Sequence, residues 1–146
     1  MEEQIVSPSA RPGKLNASTL WAIAIIVGIN FISGAIYAVW GWAAGPEMTA
    51  PHIVLKAHGI SGIALQILLG FLIACHMQPA ARARRNVASG LALASPLVLL
   101  VLSGAGLYYA GNESVRELCR WVHVCIGMML PLPLVIHVAL RNRAGE

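Results

Sequence analysis

Hydrophobic residues along this chain fall into four long runs without charges, and the charged residues lie between and around these runs. The runs cover residues 19–44, 57–81, 87–110 and 121–140. Each run has about the 20 residues that an α-helix needs to cross a bilayer. None of them alternates apolar and polar positions as a membrane β-strand would. The pattern predicts four transmembrane helices, over about residues 19–43, 52–77, 87–110 and 115–140.

Short connections join these helices, so consecutive helices should be antiparallel neighbours. We predict an all-α fold, an integral membrane up-and-down four-helix bundle formed by residues 18–141. The second and fourth helices then run in the same direction. Residues 1–17 are polar and contain two prolines, which predicts a disordered tail, and residues 142–146 form a second tail.

Local signals mark some of the helix ends. Ser18 or Thr19 is expected to cap the first helix and Asn112 the fourth, because such side chains accept hydrogen bonds from free backbone N–H groups. Pro131 and Pro133 should bend the fourth helix near mid-membrane, since each removes a backbone donor.

The composition agrees with a membrane protein. Of the 146 residues, 58% are hydrophobic and only 11% are charged, and the mean hydropathy is +0.72. A soluble domain needs a larger charged surface. We therefore expect the helices to contact membrane lipid.

The net charge of +4 indicates membrane topology rather than nucleic-acid binding. Seven Lys and Arg residues lie in the two tails and in the connection between the second and third helices, and three lie on the other side. Positive residues are enriched in cytoplasmic segments, so both termini are predicted to be cytoplasmic. The seven are Arg11, Lys14, Arg82, Arg84, Arg85, Arg141 and Arg143, and the three are Lys56, Arg116 and Arg120.

Motifs for hydrolytic chemistry or for a structural metal are missing from the sequence. Cys75, Cys119 and Cys125 form no C-x-x-C pair, so neither a structural zinc site nor covalent c-type haem is expected. The chain has no H-E-x-x-H and no G-x-S-x-G motif, and no carboxylate lies inside a run. We predict no catalytic residues on this basis.

Histidines carry the functional signal of the sequence. Four of the five lie inside the uncharged runs, His58 and His76 in the second run and His123 and His137 in the fourth. An ionisable group in lipid is costly and usually functional. His52 lies at the mouth of the second helix, on a different face from His58, and is left out of the set.

The spacing of these histidines predicts two pairs. His58 and His76 are 18 residues apart, or five α-helical turns, and His123 and His137 are 14 apart, just under four turns. Each helix thus presents two histidines on one face. Because the helices are parallel, His58 should meet His123 near the outer surface, and His76 should meet His137 near the inner one. The axial separations, about 27 and 21 Å, differ by about 6 Å, which helix tilt and the proline bend can absorb.

Imidazoles that face each other at two depths favour two b-type haems, with the four histidines as axial ligands of the haem iron. Zinc or copper prefers three or four clustered ligands. Gly62 and Gly127 follow His58 and His123 by one turn, and their missing side chains predict room for the porphyrin on the ligand face. Close packing of membrane helices is the other explanation of these glycines.

Other polar residues have simpler interpretations. Haem propionates need basic partners, for which Lys56, Arg116 and Arg120 outside are candidates beside the arginines inside, although topology alone explains the same charges. Asn30 and Gln66 fall at similar mid-membrane depth and predict hydrogen bonds between helices. Contact with a quinone is the alternative for these two residues.

Three stretches resemble a known family: Lys56-Ala57-His58-Gly59, Leu102-Ser103-Gly104-Ala105-Gly106-Leu107, and the two histidines 14 residues apart in the fourth helix. On these residues the chain resembles the bacterial four-helix di-haem cytochromes b of the cytochrome b561 type and, more loosely, the cytochrome b subunits of membrane dehydrogenases. The likeness covers about residues 18–140. It implies electron transfer across the bacterial inner membrane, commonly between quinol and a periplasmic or membrane redox protein. Whether the chain is a quinol oxidoreductase subunit or a homodimer stays open.

One departure from the family pattern concerns the first helix, which usually supplies a haem ligand and here has no histidine. His76 is the substitute, because it lies at the depth where His137 needs a partner. If His76 is not a ligand, the chain holds one haem, between His58 and His123. The alternative function is that of a non-haem four-helix membrane protein, such as a small transporter or a complex-assembly subunit, whose histidines relay protons or form structural hydrogen bonds.

Overall fold

The computed structural model of the chain describes residues 15–43, 51–84 and 87–143, with side chains described as far as residue 139. The helices are α1 (Ala17–Ala43), α2 (His52–Leu72), a π-helix (Ile73–Met77), α3 (Gln78–Arg82), α4 (Val87–Tyr109), α5 (Glu113–Met129) and α6 (Pro131–Arg143). The predicted N-terminal tail lies outside the described residues up to residue 14, as do residues 144–146 of the C-terminal tail.

Four helical spans are long and apolar enough to cross a membrane. They are span 1 (Ala17–Ala43), span 2 (His52–Arg82), span 3 (Val87–Tyr109) and span 4 (Glu113–Ala139). The predicted all-α, four-helix membrane fold is confirmed. Span 2 continues past residue 77, where the sequence predicted its end, because Pro79 stands at the start of α3, where a missing N–H is tolerated.

The ends of the helices follow capping chemistry. The carboxamide oxygen of Asn16 accepts hydrogen bonds from the backbone N–H of Thr19 at 2.8 Å and from the Ser18 hydroxyl at 3.0 Å. Asn16 is therefore the N-cap of α1, and the expectation that Ser18 or Thr19 fills this role is wrong. Asn112 caps α5 as predicted, since its side chain accepts from the Val115 N–H at 3.2 Å.

Proline interrupts span 4 as the sequence predicts. The helix α5 ends at Met129, and α6 begins at Pro131. Opposite this break, Pro96 lies inside α4. The helices α4, α5 and α6 line an open apolar groove of about 290 Å³, whose lining includes Pro96, Cys125, Met129 and Pro133.

Two helical hairpins make up the bundle. In the first hairpin α1 packs along α2, in the second α4 packs along α5 and α6, and α1 meets α5 across the boundary. Among residues 15–43, 51–84 and 87–139, the buried side chains are those of Ser33, Ser61 and Ser103. Large apolar side chains of spans 1 to 4 point outward, as lipid contact requires. The centre of the bundle is consequently lined by small polar residues and histidines.

Candidate functional site

The four intramembrane histidines form two close pairs. The ring centroids of His58 and His123 are 6.0 Å apart, and those of His76 and His137 are 6.2 Å apart. In both pairs the ring planes are nearly perpendicular, at 89° and 88°. The earlier histidine of span 2 meets the earlier histidine of span 4, so these two spans run in the same direction. The structure thus brings together the residues that the spacing predicts as partners.

His58 is fixed by a neighbour in α1. Its Nδ1 lies 2.9 Å from the backbone carbonyl oxygen of Asn30. A carbonyl only accepts, so Nδ1 carries the proton in this hydrogen bond. In a neutral ring the lone pair is then on Nε2, which is the atom available to a metal ion.

The side chain of Asn30 strengthens the same junction. Its Nδ2 donates to the backbone oxygen of His58 at 3.0 Å and to Oγ of Ser61 at 3.2 Å. Ser61 in turn donates to the carbonyl of Ala57 at 2.7 Å. Asn30 therefore holds both the backbone and the ring of His58, and its predicted role as an interhelical hydrogen bonder holds in the structure.

His123 is fixed by α4 in a related way. Its Nδ1 lies 3.1 Å from the carbonyl oxygen of Leu100 and 3.1 Å from Oγ of Ser103. The Ser103 hydroxyl donates to the carbonyl of Leu99 at 2.7 Å, so its oxygen accepts from the histidine. The lone pair of a neutral His123 is again on Nε2.

The two hairpins repeat one local arrangement. Ser33-Gly34-Ala35 in α1 and Ser103-Gly104-Ala105 in α4 share their sequence. In each helix, the carbonyl that accepts from a histidine belongs to the residue four positions before the glycine. Each serine also donates to the carbonyl four residues before it, at 2.6 and 2.7 Å. The repeated Ser-Gly-Ala is the sequence signal that could have identified these supporting residues, which the histidine spacing alone missed.

Glycines lie against both rings of the first pair. A Cβ built on Gly34 would be 2.7 Å from Cε1 of His58, which is closer than real atoms approach, and a Cβ on Gly104 would be 3.4 Å from Cε1 of His123. Gly34 and Gly104 thus let the rings pass beside α1 and α4. Gly62 and Gly127, for which the sequence predicts room for a porphyrin, face Asn30 and Leu100 within their own hairpins. Their role beside a porphyrin stays a prediction.

The second pair has a different local setting. His76 lies in the π-helix Ile73–Met77, and Nδ1 of His137 lies 3.2 Å from Oγ of Ser89 in α4. A π-helix is rare and occurs often at functional sites. Span 2 therefore leaves regular α-helical geometry at the residue that faces His137.

Two of the three basic residues near the first pair form ion pairs with glutamates. Arg116 forms an ion pair with Glu113 at 2.8 Å, and the Nε of Arg120 donates to Glu117 at 2.9 Å. Among the described residues, Lys56 has no acidic partner. In the described part of the chain, it is the basic residue without an acidic partner on the side of the bundle where His58 and His123 meet.

Each histidine pair brings together two nitrogen donors. In the described part of the chain, no three His, Cys, Asp or Glu side chains cluster around one point. Comparisons with protein families, with curated proteins and with solved structures find no match to this chain. The geometry of the two histidine pairs is therefore what any functional conclusion depends on.

Proposed function

We propose that the chain is a transmembrane electron-transfer protein that holds two b-type haems, one between His58 and His123 and one between His76 and His137. The distance between ring centres carries this proposal. Two imidazoles on opposite sides of one metal ion, each with a metal–nitrogen bond of about 2 Å, have ring centres about 6 Å apart. Both pairs have this separation, 6.0 and 6.2 Å. When bound, the haems supply one-electron oxidation and reduction at two depths of the membrane.

The protonation of the histidines agrees with this role. The carbonyls of Asn30 and Leu100 hold Nδ1 of His58 and His123 in the protonated state. In each neutral ring, Nε2 is therefore the nitrogen whose lone pair is available to a metal ion. Such a hydrogen bond also fixes the ring orientation and raises the basicity of the ligand.

The lining of the bundle also favours a large planar group. The buried side chains of the described residues are three serines, and glycines lie beside the His58 and His123 rings. Membrane helices that pack only on one another bring small residues into direct contact. Here the small residues of α1 and α4 contact histidine rings, which leaves spans 2 and 4 separated by the paired imidazoles.

Lys56 is the proposed partner of a haem propionate at the His58/His123 site. Arg116 and Arg120 already pair with Glu113 and Glu117, so their charge is largely compensated. A lysine ammonium pairs readily with a carboxylate as a point charge. In this proposal the distribution of Lys and Arg sets the membrane orientation. Both termini are in the cytoplasm of a bacterial cell, and the His58/His123 site is near the periplasm. Quinol and a second redox protein are the proposed electron partners.

The test is a reduced-minus-oxidised absorption spectrum of the detergent-purified protein, with haem counted per chain. Two b-type haems per chain are the expected result, and His52→Ala, which alters a histidine outside both pairs, should leave the count unchanged. One haem would remove His76 from the ligand set. Protein without haem, from a host that supplies haem to a control cytochrome, would overturn the proposal and favour histidines that relay protons or bond structurally.

A further inference from the structure

Gln66 lies near the middle of span 2, which runs from His52 to Arg82. Its side chain is exposed on the surface of the bundle. Among the described residues it has no hydrogen-bond partner, whereas the carboxamide of Asn30 donates to two atoms of α2. The sequence predicted the same bonding role for both residues, but only Asn30 fulfils it within the chain.

Because span 2 is long and apolar enough to cross a membrane, this exposed carboxamide lies at the depth of the hydrocarbon core. The bilayer core offers no water, and an amide that loses its hydrogen bonds there is costly. Polar side chains on membrane helices commonly bond to a neighbouring helix for this reason. Gln66 therefore indicates a partner that lies in the membrane beside span 2.

The surface around Gln66 allows a helix to approach closely. Gly59, Ile63 and Gly70 lie within about 60° of Gln66 around the axis of α2. A Cβ built on Gly59 or Gly70 would meet no atom within 4 Å, so both glycines open to the outside. Missing side chains on both sides of a polar residue let two membrane helices come into contact and bond.

We propose that this face of α2, formed by Gly59, Ile63, Gln66 and Gly70, binds the same face of a second copy of the chain. A carboxamide has both a donor and an acceptor. Across a two-fold axis, one N–H of each Gln66 side chain donates to the oxygen of the other, so each copy supplies the other with one donor and one acceptor. A symmetric interface presents the same patch from both subunits, and one self-complementary group at its centre meets this requirement without any other partner.

The experiment measures association in lipid vesicles. Full-length protein, labelled separately with donor and acceptor fluorophores, is reconstituted in phosphatidylcholine over a range of protein-to-lipid ratios. The wild-type chain should give energy transfer that saturates as a dimer. Gln66→Leu should raise the dissociation constant about ten-fold, the effect of losing a pair of interhelical hydrogen bonds.

Two matched controls accompany this variant. Gln78→Leu makes the same change at the end of span 2, where water and headgroups can bond the amide, and should dimerise like the wild type. Gly70→Leu adds bulk to the proposed interface and should also weaken the dimer. Gly28→Leu adds the same bulk on α1, at a position with no atom within 4 Å of a Cβ, and should not.

Two results would overturn the proposal. One is wild-type protein that stays monomeric at every ratio, and the other is a dimer that Gln66→Leu and Gly70→Leu leave as tight as before. Helicity by circular dichroism identifies any variant that fails to fold, and Gly70→Leu then tests the same face independently. Haem content is a separate measurement, because the variants at Gln66 and Gly70 replace no residue of either histidine pair.

Discussion

The two hairpins bring equivalent histidines to the centre of the bundle but hold them with different side chains. In the first, the backbone of Asn30 accepts from the His58 ring, and its carboxamide bonds to α2. In the second, Leu100 supplies only its backbone carbonyl, and the Ser103 hydroxyl accepts from His123 directly. A common backbone position thus sets the orientation of both rings, while the side chains that support it differ between the hairpins.

Removal of a ligand has the largest expected effect, and here the hairpins should behave identically. Each hairpin supplies one histidine to each pair, so His58→Ala and His123→Ala should lose the same haem. His76→Ala and His137→Ala should lose the other. Haem counts and reduced-minus-oxidised spectra of the four variants check this expectation, and loss of different haems by two members of one pair would refute the pairing.

Replacing the glycine beside each ring by alanine should affect the two hairpins differently. Gly34→Ala places a Cβ 2.7 Å from His58, so the ring or α1 must move, whereas Gly104→Ala places it 3.4 Å from His123. We expect Gly34→Ala to lower the free energy of unfolding by about 1–3 kcal/mol. Gly104→Ala should be nearly neutral, because the helix propensity of alanine offsets the mild contact. Thermal unfolding in detergent measures both, and equal effects would argue against the closer approach at Gly34.

Replacing Asn30 by the residue at the equivalent position of α4 tests the side-chain support. Asn30→Leu removes the hydrogen bonds to the backbone of His58 and to Ser61 but keeps the carbonyl that accepts from the ring. We expect a loss of about 1 kcal/mol in the free energy of unfolding, from two interhelical bonds of about 0.6 kcal/mol each. Leu100→Met is the control on α4. If Asn30→Leu unfolds at the wild-type temperature, the carboxamide contributes no stability.

The smallest effect concerns the serines and the midpoint potential at the His58/His123 site. Ser103→Ala removes one of two acceptors of the His123 Nδ1 proton and leaves the Leu100 carbonyl. A less basic ligand favours the oxidised metal less, so the potential should rise, by at most about 40 mV for a hydrogen bond of about 1 kcal/mol. Ser33→Ala should shift it less, because Ser33 does not bond to a histidine ring and acts only through the Asn30 carbonyl that accepts from His58. A redox titration that shows equal shifts would rule out the direct role of Ser103.

Much of the fold and of the histidine pairing follows from helical periodicity in the sequence. Uncharged runs of about 20 residues leave few alternatives to membrane helices, and histidines that share one helix face must meet a neighbouring helix. Periodicity, however, assigns a residue only to a face of its own helix. It does not say which neighbour that face meets, so only the structure shows that Gly62 faces Asn30 and that Gly127 faces Leu100.

Two other features lay beyond sequence reasoning for different reasons. The carboxamide of Asn16 caps α1 in place of Ser18 or Thr19, because several residues in succession could each accept the same backbone donors. The π-helix Ile73–Met77 has no amino-acid pattern that distinguishes it from an α-helix. It arises where tertiary contacts of the helix outweigh its local preference, and so only the structure shows it.

The orientation of His76 depends on the number of residues in one turn of span 2, the π-helical turn in which it lies. A π-helical turn takes one more residue than an α-helical turn, so deletion of one residue from this segment would restore a regular helix. That shorter helix would leave the residues that follow on the same face as they are now, because the π-turn already absorbs the extra residue. If the segment instead became α-helical with all its residues kept, the residues that follow would be rotated by about 100° relative to α2. The π-turn, rather than any side chain, thus sets the angle at which the end of span 2 meets span 4.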